Sequence, residues 1–506
     1  MRLGTLLDAV FASAIAIAPC FAATPDFDLI QAVKSQDAAA ARALMDHHAD
    51  VNAQQGDGAT ALHWAAYHDD LRIADALIRA GARVDAANDL GATPLHLACI
   101  NRSGAMVDRL LAAKANPNAK LLNGETVLMT CARTGSTTAV KALLVHGADA
   151  KAREPEHEQT ALMWAAANNH PEVTALLIEF GADVRARSRS YAQTVVGEQT
   201  QRAGREELNY SVARGGSTSL LFAARSGDAE SARLLLAAGA DSNDSLPDGT
   251  SALVLAAHSG HKDVAVALLE KGANPNNFGI GYTALHAAVL RSDLDLAKAL
   301  VAHGADPNIP MTKATPVRRN STDYFLLAPL MGVTPYLLAA KFLEPEMMQV
   351  LLGAGADPKL TMPDGTTALM LAAGSGSRTN EDRRGINVID FGRVEPESKV
   401  LPAVETAWNA NAGVNASDNK GNTALHAAVT HRDPAVVRFL VDHGTDVNAR
   451  NKAGQTPLAL LENPQRPAEK PTASTAVTAA GSGSELADEA ASRRIAELLR
   501  EHGATE

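Results

Sequence analysis

Apolar positions along this chain fall into two helical patterns that alternate and return many times. The first opens at a threonine or serine, as TALHWAA from Thr60, TPLHLAC from Thr93, TVLMTCA from Thr126 and TALMWAA from Thr160. In it the third, sixth and seventh residues share one helical face, as Leu62, Ala65 and Ala66 do. The second pattern follows about 17 residues later, as LIRAGARVD at Leu77, LLAAKANPN at Leu110 and LLVHGADAK at Leu143. One repeat therefore reads as follows. Thr60 begins a helix and offers its hydroxyl to an orphan backbone N–H. Asp69 and Asp70 break the pattern and turn the chain. Ile73, Leu77 and Ile78 then mark the apolar stripe of a second, antiparallel helix. Gly81 stands where a left-handed C-terminal residue is expected, and RVDAANDLGAT returns the chain as an extended finger to Thr93.

The first phrase occurs eleven times, mostly 33 residues apart, ending with TPLALLE from Thr456. A fixed period of this kind predicts a solenoid, because a lone helix pair cannot bury its apolar face and must lean on the next. Paired alanines such as Ala65 and Ala66 allow close helix approach. The segment from Phe27 to Asn52 supplies both helices of an opening repeat but no first phrase, as expected of a terminal unit.

The two phrases together resemble the ankyrin repeat, from about Asp26 to Gly503. The resemblance implies an all-α, ankyrin-repeat solenoid of about twelve helix-turn-helix repeats with finger loops, in a curved elongated array. With helices roughly 8–10 Å apart, the stack should be on the order of 100 Å long. The resemblance also implies that a partner meets the finger tips and the concave face of the first helices, and that histidine at the fourth phrase position is structural.

Departures from the period divide the chain. Thr160 to Thr218 spans 58 residues, Thr283 to Thr334 spans 51 and Thr367 to Thr423 spans 56. The expected organisation is repeats over 24–185, a basic finger insertion over 186–216, repeats over 217–308, a second finger insertion over 309–332, and repeats over 333–461. An insertion at 374–396 separates the two helices of one repeat, and Asn411 then stands where other repeats have Gly. A Pro-, Ala- and Ser-rich linker covers 462–485, and a capping helix covers 486–506. Residues 1–23 lie outside the repeat. Arg2, an apolar stretch from Val10 to Ala18 and small residues at its end read as a secretory signal peptide cut near Ala22 or Ala23, so the protein is expected in the periplasm or outside the cell. Pro19 disfavours a lipoprotein signal at Cys20.

Charge and cysteine narrow the function classes. A net charge of −11 disfavours simple electrostatic binding to nucleic acid. No run of 18 apolar residues predicts a transmembrane helix in the array. Cys99 and Cys131 fall where sister copies have Ala or Val and read as small core side chains. Their one-residue offset within the phrase argues against a disulfide.

Catalytic chemistry finds no foothold. His63, His96, His286 and His426 share a slot that holds Met129, Met163, Leu221, Val254, Leu337 or Met370 elsewhere, so it is a packing and hydrogen-bonding slot. His47 and His48 adjoin Asp50, but adjacent histidines point to different sides of a helix. HExxH, CxxC, calcium-loop, GxxxxGK[ST] and GxSxG spacings are all absent. No catalytic, cofactor or metal residues are assigned.

The candidate partner-binding residues are those after the paired small residues of the first phrase, together with the insertions: Tyr67, His68, Asn101, Arg133, Asn168, Arg225, His258, Arg291, Lys341 and Phe342, then Arg187, Arg189, Arg318 and Arg319. That row holds Arg, Lys and His without Asp or Glu, on an acidic chain. Finger tips include Asp89 and Leu90, Leu122 and Asn123, and Asn419 and Lys420. Trp64, Trp164 and Phe222 share a fifth phrase position and read as a semi-buried core stripe, or as aromatic anchors if exposed. The expected function is a non-enzymatic, monomeric scaffold holding an acidic protein partner. A binder of an anionic polymer or cell-surface polysaccharide, and an enzyme with a site in the insertions, are the alternatives.

Overall fold

The computed structural model describes residues 25–196, 209–314, 330–374, 397–462 and 481–505. The expected leader, Arg318, Arg319 and most of the insertions at 309–332, 374–396 and 462–485 lie outside the described residues. The chain divides into two compact units, Met1–Pro155 and Glu156–Glu506. Each unit is a stack of helical hairpins, so the fold is an all-α repeat solenoid.

In the first unit the first helices Ala61–Tyr67, Pro94–Ile100 and Val127–Thr134 lie side by side. The second helices Leu71–Arg79, Gly104–Ala112 and Thr137–Val145 form a parallel row. Each hairpin turns at a residue with positive φ. Asp69, at φ 54°, precedes Asp70, whose carboxylate caps the second helix by accepting from the N–H groups of Arg72 and Ile73. The core is built from leucine and alanine: Leu62, Ala65, Ala66, Leu77, Leu95 and Ala98 are all fully buried. Burying each leucine stabilises the fold by about 2 kcal/mol.

The second unit repeats the arrangement across its insertions. First helices Ala161–Ala167 and Ser219–Ser226 pack directly despite the extra residues between them, as do Ala284–Leu290 and Pro335–Lys341. Helices Ala368–Gly374 and Glu397–Asn409 pack together as one hairpin. Asn411 has φ 59°, the left-handed conformation expected where Gly is replaced. The last second-row helix, Gly481–Glu501, packs on Pro434–Asp442 and on Pro457–Glu462.

An asparagine clamp recurs between neighbouring repeats. Asn52 donates from its side-chain amide to the Gly81 carbonyl and accepts from the Arg83 N–H. Asn118 does the same with Gly147 and Asp149, Asn276 with Gly304 and Asp306, and Asn308 with Gly355 and Asp357. Asn448 reaches Gly503 and Thr505 beyond the final helix. Each clamp satisfies an orphan carbonyl at the end of the next repeat's second helix.

Two features depart from the sequence reading. Cys99 and Cys131 form a disulfide, with Sγ–Sγ 2.01 Å and Cα–Cα 4.7 Å. The offset that argued against it is what permits it. Neighbouring parallel helices present opposite faces to each other, so identical phrase positions cannot meet, while the seventh position of one and the sixth of the next can. The other is a two-stranded antiparallel hairpin inside the first finger insertion, Tyr191–Val196 paired with Asn209–Arg214, with Tyr191 opposite Arg214 and Val196 opposite Asn209. Its base is pinned by the Ser188 N–H donating to the Ser217 carbonyl at 2.9 Å.

Candidate functional site

The histidine slot is a joint. In His63 the Nδ1 atom accepts from the Thr60 N–H at 3.1 Å and lies 2.9 Å from the Thr60 hydroxyl. Its Nε2 lies 2.9 Å from the Ala92 carbonyl, which fixes the Nε2–H tautomer as the donor. His286 joins Thr283 to the Val333 carbonyl in the same way, and His426 joins Thr423 to the Gln455 carbonyl. Burial lowers all four ring pKa values below the ordinary histidine range, to about 4 for His96 and His286. With both nitrogens committed to backbone or cap partners, the rings of His63, His286 and His426 serve as joints between repeats. Where Met, Leu or Val fills the slot, the threonine or serine hydroxyl takes over the cap, as Thr160 does for the Met163 N–H.

The fingers form a backbone ladder. The Asp89 N–H donates to the Asp57 carbonyl at 2.8 Å, and the Leu122 N–H to the Leu90 carbonyl at 3.0 Å. Further along, the Asn419 N–H reaches the Asp364 carbonyl and the Lys452 N–H reaches the Lys420 carbonyl. Gly91 has φ 78°, and a Cβ there would stand 2.9 Å from the Leu122 nitrogen, so this finger packs too closely for a side chain. Tips held this firmly still present apolar groups to water: Leu90 is 47% and Leu122 77% exposed.

The candidate residues fall in both units. Tyr67 is exposed and stands edge-on to the buried Trp64, over whose ring the Lys34 ammonium lies at 4.7 Å. The Trp64 Nε1–H donates to Gln55 at 3.2 Å, and Trp164 and Phe222 are half-buried, so the aromatic stripe belongs mainly to the core. His68 is held by Gln36 and the Lys34 carbonyl. Asn101 donates to the Ala66 and Tyr67 carbonyls of the preceding repeat. Asn168 and Arg225 are exposed, while His258, Arg291, Lys341 and Phe342 are half-buried.

Several of the basic residues meet counter-charges that the sequence row did not show. Arg133 pairs with Glu125 at 3.2 Å, Arg189 with Glu158 at 3.0 Å, and Arg187 with Asp244. Arg291 donates to the His258 carbonyl at 3.0 Å. Glu125 sits immediately before a first phrase, where Ala59 and Ala92 stand in sister repeats, and its side chain also accepts from the Thr130 hydroxyl. That substitution was the available signal for a charged residue on the floor. Burial raises the pKa of the Tyr282 hydroxyl, in the same slot, above its ordinary range; this hydroxyl lies 3.4 Å from His258 Nδ1. Among the described residues no group of three or more His, Cys, Asp or Glu could hold a metal ion, and no helix is long and apolar enough to cross a membrane.

Family models described as ankyrin repeats match residues 29–121, 103–188, 216–311 and 410–461. The chain is 33% identical over 183 residues to neurogenic locus notch homolog protein 1 of Cricetulus griseus, covering 36% of this chain and 6% of that protein. It is 34% identical over 117 residues to NF-kappa-B inhibitor alpha of Homo sapiens, covering 23% of this chain and 32% of the relative. An ankyrin repeat-containing protein of Schizosaccharomyces pombe is 42% identical over 48 residues, 10% of this chain and 23% of that protein. The likeness thus spans a third or less of each of these relatives and resides in the repeats. With the helical hairpins, finger ladder and structural histidines in place, the chain belongs to the ankyrin-repeat family.

Proposed function

We propose that this protein is a non-enzymatic scaffold that holds a protein partner along its first helices and finger tips. Ankyrin repeats are generally protein–protein interaction modules. The observation that carries the reading is the pairing of rigidity with exposure: a finger ladder fixed by backbone hydrogen bonds displays Leu90 and Leu122 to solvent, and Tyr67 of the same unit is exposed as well. A pre-organised apolar surface binds without an ordering cost. One relative, by its name an inhibitor of NF-kappa-B, acts on another protein. The anionic-polymer alternative loses support because Arg187 and Arg189 are already paired with Asp244 and Glu158.

Export to the periplasm or beyond the cell goes with this reading. The leader-like first 23 residues support it, as does the Cys99–Cys131 disulfide, since such bonds persist in oxidising compartments. Proximity labelling in the exported fraction tests both parts, comparing the intact chain with a Tyr67→Ala, Leu90→Ser, Leu122→Ser variant. We expect a protein neighbour that the variant loses, and a mature chain starting after Ala22 or Ala23. An unchanged neighbour set, or a chain retained in the cytosol with its leader intact, overturns the corresponding part.

A further inference from the structure

The second unit contains a cavity of about 800 Å³ between the fingers at 418–422 and 451–455 and the helices Ala424–His431 and Pro457–Glu462. That volume lies within the range of ligand-binding clefts. It is hollow for a reason written in the repeat. The fifth phrase position, occupied by Trp64, Trp164, Phe222 or leucine in most sister repeats, is Ala427 here. The eighth position of the preceding repeat, elsewhere Tyr67, Arg225 or Lys341, is Gly374. A Cβ added at Gly374 would stand 3.4 Å from the Ala427 methyl, so Gly374 packs against Ala427 at the edge of the cavity. Met370, Ala427 and Leu460 give the cavity an apolar floor.

The rim carries two lysines. Lys420 and Lys452 are exposed on adjacent fingers, whose backbones are joined at 2.8 Å, and Lys420 also helps to lower the pKa of the Asp364 carboxyl on the preceding finger. Asp418, the single acidic residue among the lining groups, is turned to internal use. One carboxylate oxygen accepts from the N–H groups of Lys420 and Asn422, and the other from the Asn422 side-chain amide. Among the described residues neither lysine has an ion-pair partner. An apolar hollow edged by lysines on an otherwise acidic chain is complementary to one kind of partner.

The geometry points to a docking site for an acidic peptide segment of the partner, which seats an apolar side chain over Ala427 and sets carboxylates against Lys420 and Lys452. This rests on the scaffold reading and assigns it a place in the second unit. Charge reversal at the lysines leaves the finger ladder intact, because that ladder uses only their backbone atoms.

A phage-displayed library of random dodecapeptides panned on the immobilised full chain tests it. The expected clones combine Asp or Glu with a large apolar residue, and synthetic copies lose at least tenfold in affinity against the Lys420→Glu, Lys452→Glu chain. Ala427→Trp, which fills the hollow, gives the same loss, whereas Val145→Ser, at the exposed end of a second helix in the first unit, does not. Recovery of no clones, clones without acidic bias, or binding indifferent to the lysine reversal overturns the site. If the labelled neighbour of the intact chain survives that same reversal, the scaffold reading stands while this site fails. The lysine variant keeps the test decisive even where Ala427→Trp fails to fold.

Discussion

The side-chain amide of Asn308 donates to the carbonyl of Gly355 at 3.0 Å, across 47 residues of chain. The same bond joins Asn276 to Gly304 across 28 residues. Repeats on either side of the second finger insertion are therefore clamped as uninterrupted neighbours are. The neck of that insertion is closed by the Met311 N–H donating to the Val333 carbonyl and the Gly332 N–H to the Met311 carbonyl. Replacing residues 315–329 by two glycines should leave the thermal midpoint within a few degrees, since loop length enters stability only logarithmically. Asn308→Ala should instead cost about 1–2 kcal/mol by leaving the Gly355 carbonyl and Asp357 N–H without this partner. Urea titration of the two variants compares them directly, and a larger loss on deletion than on Asn308→Ala contradicts the argument.

The disulfide closes a loop between residues 32 apart in sequence, and both sulfurs are fully buried. The loop-entropy account puts its contribution at about 3–4 kcal/mol. A Cys99→Ala, Cys131→Ala chain should unfold at correspondingly lower denaturant. The folded protein should resist mild reductant until it unfolds, as read by thiol alkylation and mass spectrometry. Rapid labelling of both thiols under native reducing conditions would show that the joint is open to solvent.

Acid should weaken the stack through its histidines. Burial holds His96 and His286 at about 4, while an unfolded chain titrates near 6.5. The unfolded state therefore binds more protons between these values, and stability rises with pH across that window. The contribution is complete above about 6.5 and is lost as pH falls towards about 4, amounting to about 3 kcal/mol per ring at most. His286→Met, which borrows the residue of sister repeats, should flatten the dependence of the urea midpoint between pH 7 and pH 4.5. A slope unchanged by this substitution would falsify the assignment.

The Arg133–Glu125 pair offers an asymmetry. The Glu125 side chain is 8% exposed and that of Arg133 22%. Removing Arg133 alone leaves a buried carboxylate without its guanidinium, at a cost of about 3 kcal/mol or more. Replacing both residues by leucine should recover most of that loss. Chemical denaturation of Arg133→Leu, Glu125→Leu and the double variant completes the cycle; a double variant no more stable than Arg133→Leu contradicts it.

The repeat itself was legible in sequence because its signals are local. Threonine caps, alanine pairs, positive-φ residues such as Gly81 and Asn411, and the Met or Leu that stands in for histidine all act within one hairpin, so chain spacing reports them. What faces a side chain from the next repeat is set by stacking. Neither the Cys99–Cys131 bond, nor Glu125 and Asp244 beneath their arginines, nor the hollow over Ala427 follows from spacing alone. Each depends on which face of one helix meets which face of its neighbour. Local spacing is enough to write a stack of helical hairpins, whereas the contacts between stacked hairpins settle which charges are already paired and where room is left to receive something else.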